Sequence, residues 1–409
     1  MREMPDYKEK ARKALKKNSL YGPDLNLSKL LKKVKGTENL LEKRDLMEAS
    51  TIASRSGIDA KLRGRSASYF QIDREVLIEE ISRRFEGKVE LMNIRKAFEK
   101  YNWVKDYWWK IVSVDQDKFT ASVELNLDNG YFIRILPNQR VKLPIQACLM
   151  IYHDETTQNV HNIVIAEPNS EAQIITGCMI KPLSKGLHLG VTEFYLKKGS
   201  KITYTMIHNW SKNTHVRPRS AAILEDKAVL INNYVNLRTV GSIQMYPVFY
   251  CKGDGSRVSV NSILFGDRNS YIDVGAKVVL EGYDARGEII SRSVAKDEAK
   301  IYARGAITGK SGFSKGHLEC RGLLLSDNAS IYAIPELIGR RKGSELSHEA
   351  AIGRISEEQI EYLMSRGLSM RGAVSLIIKG FMDVGILNLP PRLSSQIKSL
   401  IDLTTEKAF

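Results

Sequence analysis

The sequence predicts a mainly β chain, a β-solenoid flanked by helical regions at both ends. Two observations carry this. A small-residue motif recurs at a nearly fixed interval through the middle of the chain. The same region, from about Trp108 to Leu337, is built of short β-branched or aromatic runs separated by Gly, Asp, Asn and Ser, the texture of many short strands. On either side, apolar residues fall at helical spacing instead.

The repeat is a polar residue or Gly, then Ala or Ser, then any residue, then a branched aliphatic. It reads Glu171-Ala172-Gln173-Ile174, Gly199-Ser200-Lys201-Ile202, Lys227-Ala228-Val229-Leu230 and Gly255-Ser256-Arg257-Val258. It returns as Glu298-Ala299-Lys300-Ile301 and Asn328-Ala329-Ser330-Ile331. The Ala/Ser steps are 28, 28, 28, 43 and 30 residues. Periods of about 20 to 50 residues mark solenoids, whose coils bury apolar side chains against their neighbours. A small residue at fixed phase suits a tight corner. The alternative is a β-sandwich with coincidental spacing.

The flanks are read as helical. In the first hundred residues, Leu27, Leu30, Leu31 and Val34 keep helical spacing, with Gly22-Pro23 and Gly36 as punctuation. A second helical run is expected from Asp73 to Tyr101, although Lys88-Val89-Glu90-Leu91 alternates as a strand does. At the other end, Ser356-Glu357-Glu358-Gln359 forms a capping box and Gly367 a natural stop. Ser369 caps a further helix over 370–383, and another follows Pro390-Pro391. The expected regions are 1–105 helical, 106–340 solenoid and 341–409 helical.

Bulk properties narrow the classes. At 409 residues the chain exceeds one comfortable core. Its net charge of +15 fits a nucleic-acid binder or a protein whose partner presents an acidic face. Residues 1–44 hold thirteen Lys or Arg against six Asp or Glu, including Lys16-Lys17 and Lys32-Lys33, which reads as a solvated arm. Cys148, Cys178, Cys251 and Cys320 are too dispersed for a disulfide framework and suit a reducing compartment. The polar N-terminus is unlike a signal peptide, and no stretch approaches the roughly 20 apolar residues of a membrane span. A cytoplasmic location is expected.

Two tempting motifs fail. Gly305-Ala306-Ile307-Thr308-Gly309-Lys310-Ser311 resembles a phosphate loop but has three residues between its glycines where four are required, and no helix start follows. The helix pair at 357–383 resembles a helix-turn-helix. Its second helix, however, carries Ala373, Val374, Leu376, Ile377, Ile378 and Phe381, with Arg371 and Lys379 as its only cations. A recognition helix must offer polar groups to base edges. Nucleic-acid binding remains the weaker class.

The third constellation holds. Gly316-His317-Leu318-Glu319-Cys320-Arg321 sets a thiol beside His, Glu and Arg. Ser347-His348-Glu349 follows about one coil later, and Thr176-Gly177-Cys178 precedes it. Cys, His and carboxylate are ligands for iron or zinc, and a thiolate is also a nucleophile. A lone Cys on a strand is otherwise a small core residue.

These blocks carry a resemblance. Ser314–Cys320, Ile334-Pro335-Glu336-Leu337, Ser347–Ile355 and Glu357–Gly367 resemble, in order, the late signature of the SufB/SufD family of iron–sulfur cluster scaffolds. Ile175-Thr176-Gly177-Cys178 and His208-Asn209-Trp210 match two earlier blocks. The resemblance spans about 140–385. It implies a right-handed parallel β-helix, pairing of members through their β-helices, and C-terminal helices that dock an ABC-type ATPase, SufC. It further implies sulfur accepted at Cys178 and passed to Cys320, with His208 and Trp210 along the path. Cys320, His348 and Glu349 become the candidate iron ligands for a transient iron–sulfur cluster. The implied partners are SufC, a second scaffold chain as homodimer or SufB–SufD-type heterodimer, and a cysteine desulfurase or other sulfur donor. The chain departs from the pattern at Ser347, His208, Met150 and Tyr152. Those positions leave open a SufD-like structural partner without its own cluster. ATP hydrolysis is expected in the partner, and the chain is read as a scaffold, not an enzyme.

Overall fold

The computed structural model describes residues 6–30, 43–54, 58, 64–387, 389 and 391–407. Leu31, Lys32-Lys33, Val34, Gly36 and Pro390 lie outside them.

Two parallel sheets face each other along a stack of coils. The first sheet takes one strand per coil: Arg140–Ile151, Glu171–Ile180, Lys201–Asn209, Val229–Asn236, Arg257–Gly266, Arg286–Ala295, Lys315–Leu324 and Glu345–Arg354. The second takes the alternate strands, from Tyr131–Ile135 to Ser330–Gly339. Each strand hydrogen-bonds in register to the equivalent strand of the next coil. The core therefore consists of straight rows of stacked side chains. Ile174, Tyr204, Asn232, Val260, Ile289 and Leu318 form one such inward row.

The small-residue motif marks the corners. At the first sheet the residue before it is left-handed: Asn169, Gly199, Lys227, Gly255, Asp284, Phe313 and Gly343 all have φ between 50° and 83°. The Ser200 N–H then bonds to the Lys197 carbonyl at 3.0 Å and its hydroxyl to the same oxygen at 2.6 Å. A turn with φ > 0 at its third position favours Gly or Asn there. The next residue, buried against neighbouring corners, must be small. The register refines the sequence reading in two ways. Ser170, not Ala172, stands beside Ser200, because Glu171 pairs with Lys201. Ala299 and Ala329 belong to corners of the second sheet. The long 43-residue step is thus one coil to Ala285 plus the half-coil that crosses between sheets.

Helices cover both outer faces. The first sheet is covered by Lys43–Ser54 and by the C-terminal helices, whose Val374, Ile378, Met382, Leu387, Ile397 and Ile401 pack on Ile207, Val235, Ile263 and Phe265. The second is covered by Tyr7–Ala14, Ile94–Lys100 and Lys118–Leu125, with Trp108 and Trp109. Glu193 anchors the covering loop. Its buried carboxylate accepts N–H bonds from Trp109 (2.8 Å), Ile111 (2.7 Å) and Val112 (3.1 Å) and meets His161 Nε2 at 2.9 Å.

Two local expectations change, and the rejection of the phosphate loop stands. Glu75–Ile81, read as helix, is a strand antiparallel to Ala67–Ile72, and Val89–Asn93 is another antiparallel strand. Val76, Ile81, Val89 and Leu91 pack into the core beneath the sheets, so tertiary pairing overrides a weak helical spacing. Ser356 stands at a helix N-terminus without a side-chain cap, whereas Ser369 caps Met370–Phe381 through Gly372 N–H at 3.1 Å. The failed phosphate loop is strand Lys300–Gly309, where a Cβ on Gly305 would strike Leu318 at 2.3 Å.

The two ends of the stack differ. The antiparallel strands close the N-terminal end. At the other end, Ser330–Gly339 and Glu345–Arg354 each keep one edge without a strand partner among the described residues, and most of their residues are exposed.

Candidate functional site

Cys178 lies in the interior, 1 % exposed, on the strand Glu171–Ile180. Alternation points Thr176 and Cys178 inward, and register places Cys178 directly beside His208 of the next coil. The His208 Nδ1 meets the Tyr234 hydroxyl at 2.8 Å. The Trp210 indole packs on both His208 and His188, with ring centroids 5.2 Å apart in each case. His188 Nδ1 meets Gln158 at 3.0 Å, and the Tyr131 and Tyr204 hydroxyls lie 3.2 Å apart. These groups form a buried polar chamber. Within it, His208 Nε2 and Trp210 Nε1 are buried without a hydrogen-bond partner.

Burial sets the protonation states. Desolvation pushes the Cys178 thiol up to about 12 and draws His188 down to about 4. His208 is drawn well below its usual value, first by burial and then by the neighbouring His188. The resting chamber holds a neutral thiol and two neutral imidazoles.

Cys320 lies at the open end, on Lys315–Leu324, five strand steps from Cys178. At about 4.8 Å per strand this is about 24 Å along the stack. Cys320 also faces inward, in the row Thr176, Met206, Tyr234, Ser262, Ser291, Cys320, Ala350. Burial pushes its thiol up to about 11, Glu319 adds to the rise, and Arg292 opposes it. Between the two cysteines the inward rows include His208, Tyr234, Asn236, Ser291 and Ser293.

The final strand divides the other candidates. His348 pairs with Leu318, so it shares the inward face with Cys320, and its Nε2 is buried without a partner. Glu349 pairs with Glu319 and faces outward. There it joins His317 and Glu319, the ligand atoms of all three lying within 4.8 Å of one another. Within one chain, Cys320 and Glu349 are on opposite faces of the sheet. Met150 and Tyr152 also lie on the outer side, packed with Cys148 and helix Lys43–Ser54. The Tyr152 hydroxyl contacts Asp45, Glu48 and Lys181.

Comparison with known proteins decides the family. Residues 149–381, more than half of the chain, match the family model described as SUF system FeS cluster assembly, SufBD core domain. The chain belongs to the SufBD family. An iron–sulfur cluster assembly SufBD family protein of Methanothermobacter thermautotrophicus is 44 % identical over 98 % of both chains. One from Archaeoglobus fulgidus is 47 % identical over 85 % of this chain and 92 % of its own. The iron–sulfur cluster assembly protein SufB of Bacillus subtilis is 27 % identical over 74 % of this chain and 65 % of its own. The role of this SufBD protein is therefore that of a scaffold in iron–sulfur cluster assembly.

Sequence reasoning missed Tyr131, Tyr204 and Tyr234 as neighbours of Cys178, and His188 as a neighbour of Trp210 and His208. The coil period held the signal for part of this, since Cys178 and His208 are 30 residues apart. The approach of His188 crosses between sheets, and no linear spacing encodes that.

Proposed function

We propose that this SufBD protein accepts sulfur at Cys178 and assembles a nascent cluster at the open end around Cys320. One observation carries the reading. Both thiols project into the same solenoid interior, with polar inward residues between them. In the first step, the Cys178 sulfur attacks the terminal sulfur of a donor persulfide while its proton passes to the departing donor sulfur. The donor departs as a thiol, and Cys178 carries the sulfur. A low-molecular-weight thiol then carries the sulfur across the remaining ~24 Å, taking it from Cys178, which leaves as a thiol, and yielding it to Cys320, whose neighbour in the final coil is Ala350 with His348 one inward position away. Iron is the second substrate, and Glu349 approaches from the outer face.

Other features support the partners. The unpaired edges of the last coil suit strand pairing with a second copy, or with a SufD-type chain. Tyr362 (58 % exposed), Met364, Met370 and Leu376 offer exposed apolar contacts on helices Glu357–Ser365 and Met370–Phe381. That surface suits SufC, with ATP bound by the partner. The same helix buries Ala373, Val374 and Ile378, which leaves little of a DNA-reading face.

The test is anaerobic reconstitution with iron and a persulfide donor, comparing wild type with Cys178→Ala and Cys320→Ala. Both variants should hold less cluster, with Cys320→Ala nearly devoid of it. If both hold as much as wild type, the site assignment fails. The SufD-like alternative is favoured by the separation of Glu349 from Cys320. It predicts wild-type protein that binds the ATPase yet holds no cluster.

A further inference from the structure

We infer that His317, Glu319 and Glu349 form a divalent-cation site on the outer face of the first sheet, separate from the interior thiols, where ferrous iron arrives. The inference deepens the scaffold reading and rests on it for the identity of the ion.

The site follows from register. His317 and Glu319 alternate outward on Lys315–Leu324, and Glu349 is the direct neighbour of Glu319 on Glu345–Arg354. Their ligand atoms lie within 4.8 Å of one another. A first-row dication with bonds of about 2.1 Å holds its ligand atoms about 3 to 4 Å apart. Small rotations about side-chain bonds therefore close the set. One imidazole and two carboxylates, with positions left open, suit Fe²⁺, Mn²⁺ or Zn²⁺ better than Ca²⁺ or Mg²⁺.

Three details favour an ion over a solvated acidic patch. The His317 Nδ1 meets the Ser347 hydroxyl at 2.8 Å. With Nδ1–H donating to Ser347, the Nε2 lone pair is held free, as in metal-bound histidines oriented from behind. Arg292 and Arg321 both grip Oε1 of Glu319, Arg321 at 2.9 Å, and this leaves Oε2 open. Glu349 has no ion pair among the described residues. The two arginines pair with Glu319 alone and compete with an ion for it, while Glu349 keeps no such partner. The site should therefore hold iron reversibly, as a loading position requires.

The location explains its use. Glu349 and His348 are adjacent on the same free-edged strand but face opposite ways. Iron held outside and sulfur carried inside then meet around the edge of the final coil. Ser347, where the family pattern has an acidic residue, acts here by orienting His317.

The experiment uses the full-length chain without sulfur. Mn²⁺ is titrated anaerobically and free Mn²⁺ is read by electron paramagnetic resonance, with Fe²⁺ added as competitor. Wild type should bind one Mn²⁺ per chain, displaced by Fe²⁺. Glu349→Gln and His317→Gln should each weaken binding at least about tenfold. Cys178→Ala and Cys320→Ala should bind as wild type does. The inference is overturned if wild type binds no Mn²⁺, if Fe²⁺ does not displace it, or if Glu349→Gln and His317→Gln both bind normally. It is also overturned if Cys320→Ala loses the ion, because the ion then sits at the thiol. Normal Mn²⁺ binding by a wild type that holds no cluster would leave this site standing and reject the scaffold chemistry.

Discussion

Acidification should act on the Cys178 chamber through His188. This imidazole is 3 % exposed, and burial holds its pKa at about 4, against about 6.5 in an unfolded chain. Above pH 6.5 both states are neutral and the full stability is present. Below it the unfolded chain takes up a proton that the folded chain refuses. Stability then falls by about 1.4 kcal/mol per pH unit until the folded pKa is reached, about 3 kcal/mol in all. By pH 5 the loss is about 2 kcal/mol. Asp128 runs the other way. Burial pushes its carboxyl up to about 6, so its contribution is present at low pH and lost as pH rises through that value. The wild-type curve sums both effects, and a variant isolates one. Urea unfolding should be measured from pH 7.5 to 5.0 for wild type and His188→Gln at constant ionic strength. Wild type should lose about 2 kcal/mol more than the variant over that range. Parallel curves would refute the buried, neutral chamber, and with it the physical basis for a protonated resting Cys178.

Two further outcomes follow from burial. Cys320, at about 11, should alkylate at least about a hundredfold more slowly at pH 7.5 in the native protein than in urea, because the reacting species is the thiolate. A native rate equal to that of the unfolded chain would show the thiol exposed. Glu193→Ala should cost about 3–5 kcal/mol of unfolding free energy, since it strands three N–H donors and His161 in a buried position. A loss below about 1 kcal/mol would mean that water replaces the carboxylate there.

The sequence by itself determined the architecture. A corner needs a left-handed residue followed by a small buried one, and a coil of fixed length repeats that need. Composition at Ser200, Ala228 and Ser256 therefore records the coil directly. Strand alternation likewise places Cys178 and Cys320 on inward positions once the coil is known. Helical spacing failed at Glu75–Ile81, where pairing with Ala67–Ile72 decides the conformation and the partner lies across a turn. The candidate site was only partly legible. Its residue types stood out in 314–349, but adjacency in sequence grouped Cys320, His348 and Glu349 together. In a strand, neighbouring residues face opposite sides. Only the register of the last two coils could separate Glu349 from Cys320 and join it to His317 and Glu319. The chamber around Cys178 also depended on tertiary structure. Two sheets bring Tyr131 towards Cys178 and His188 against Trp210 across the core, a distance that no period along one sheet encodes.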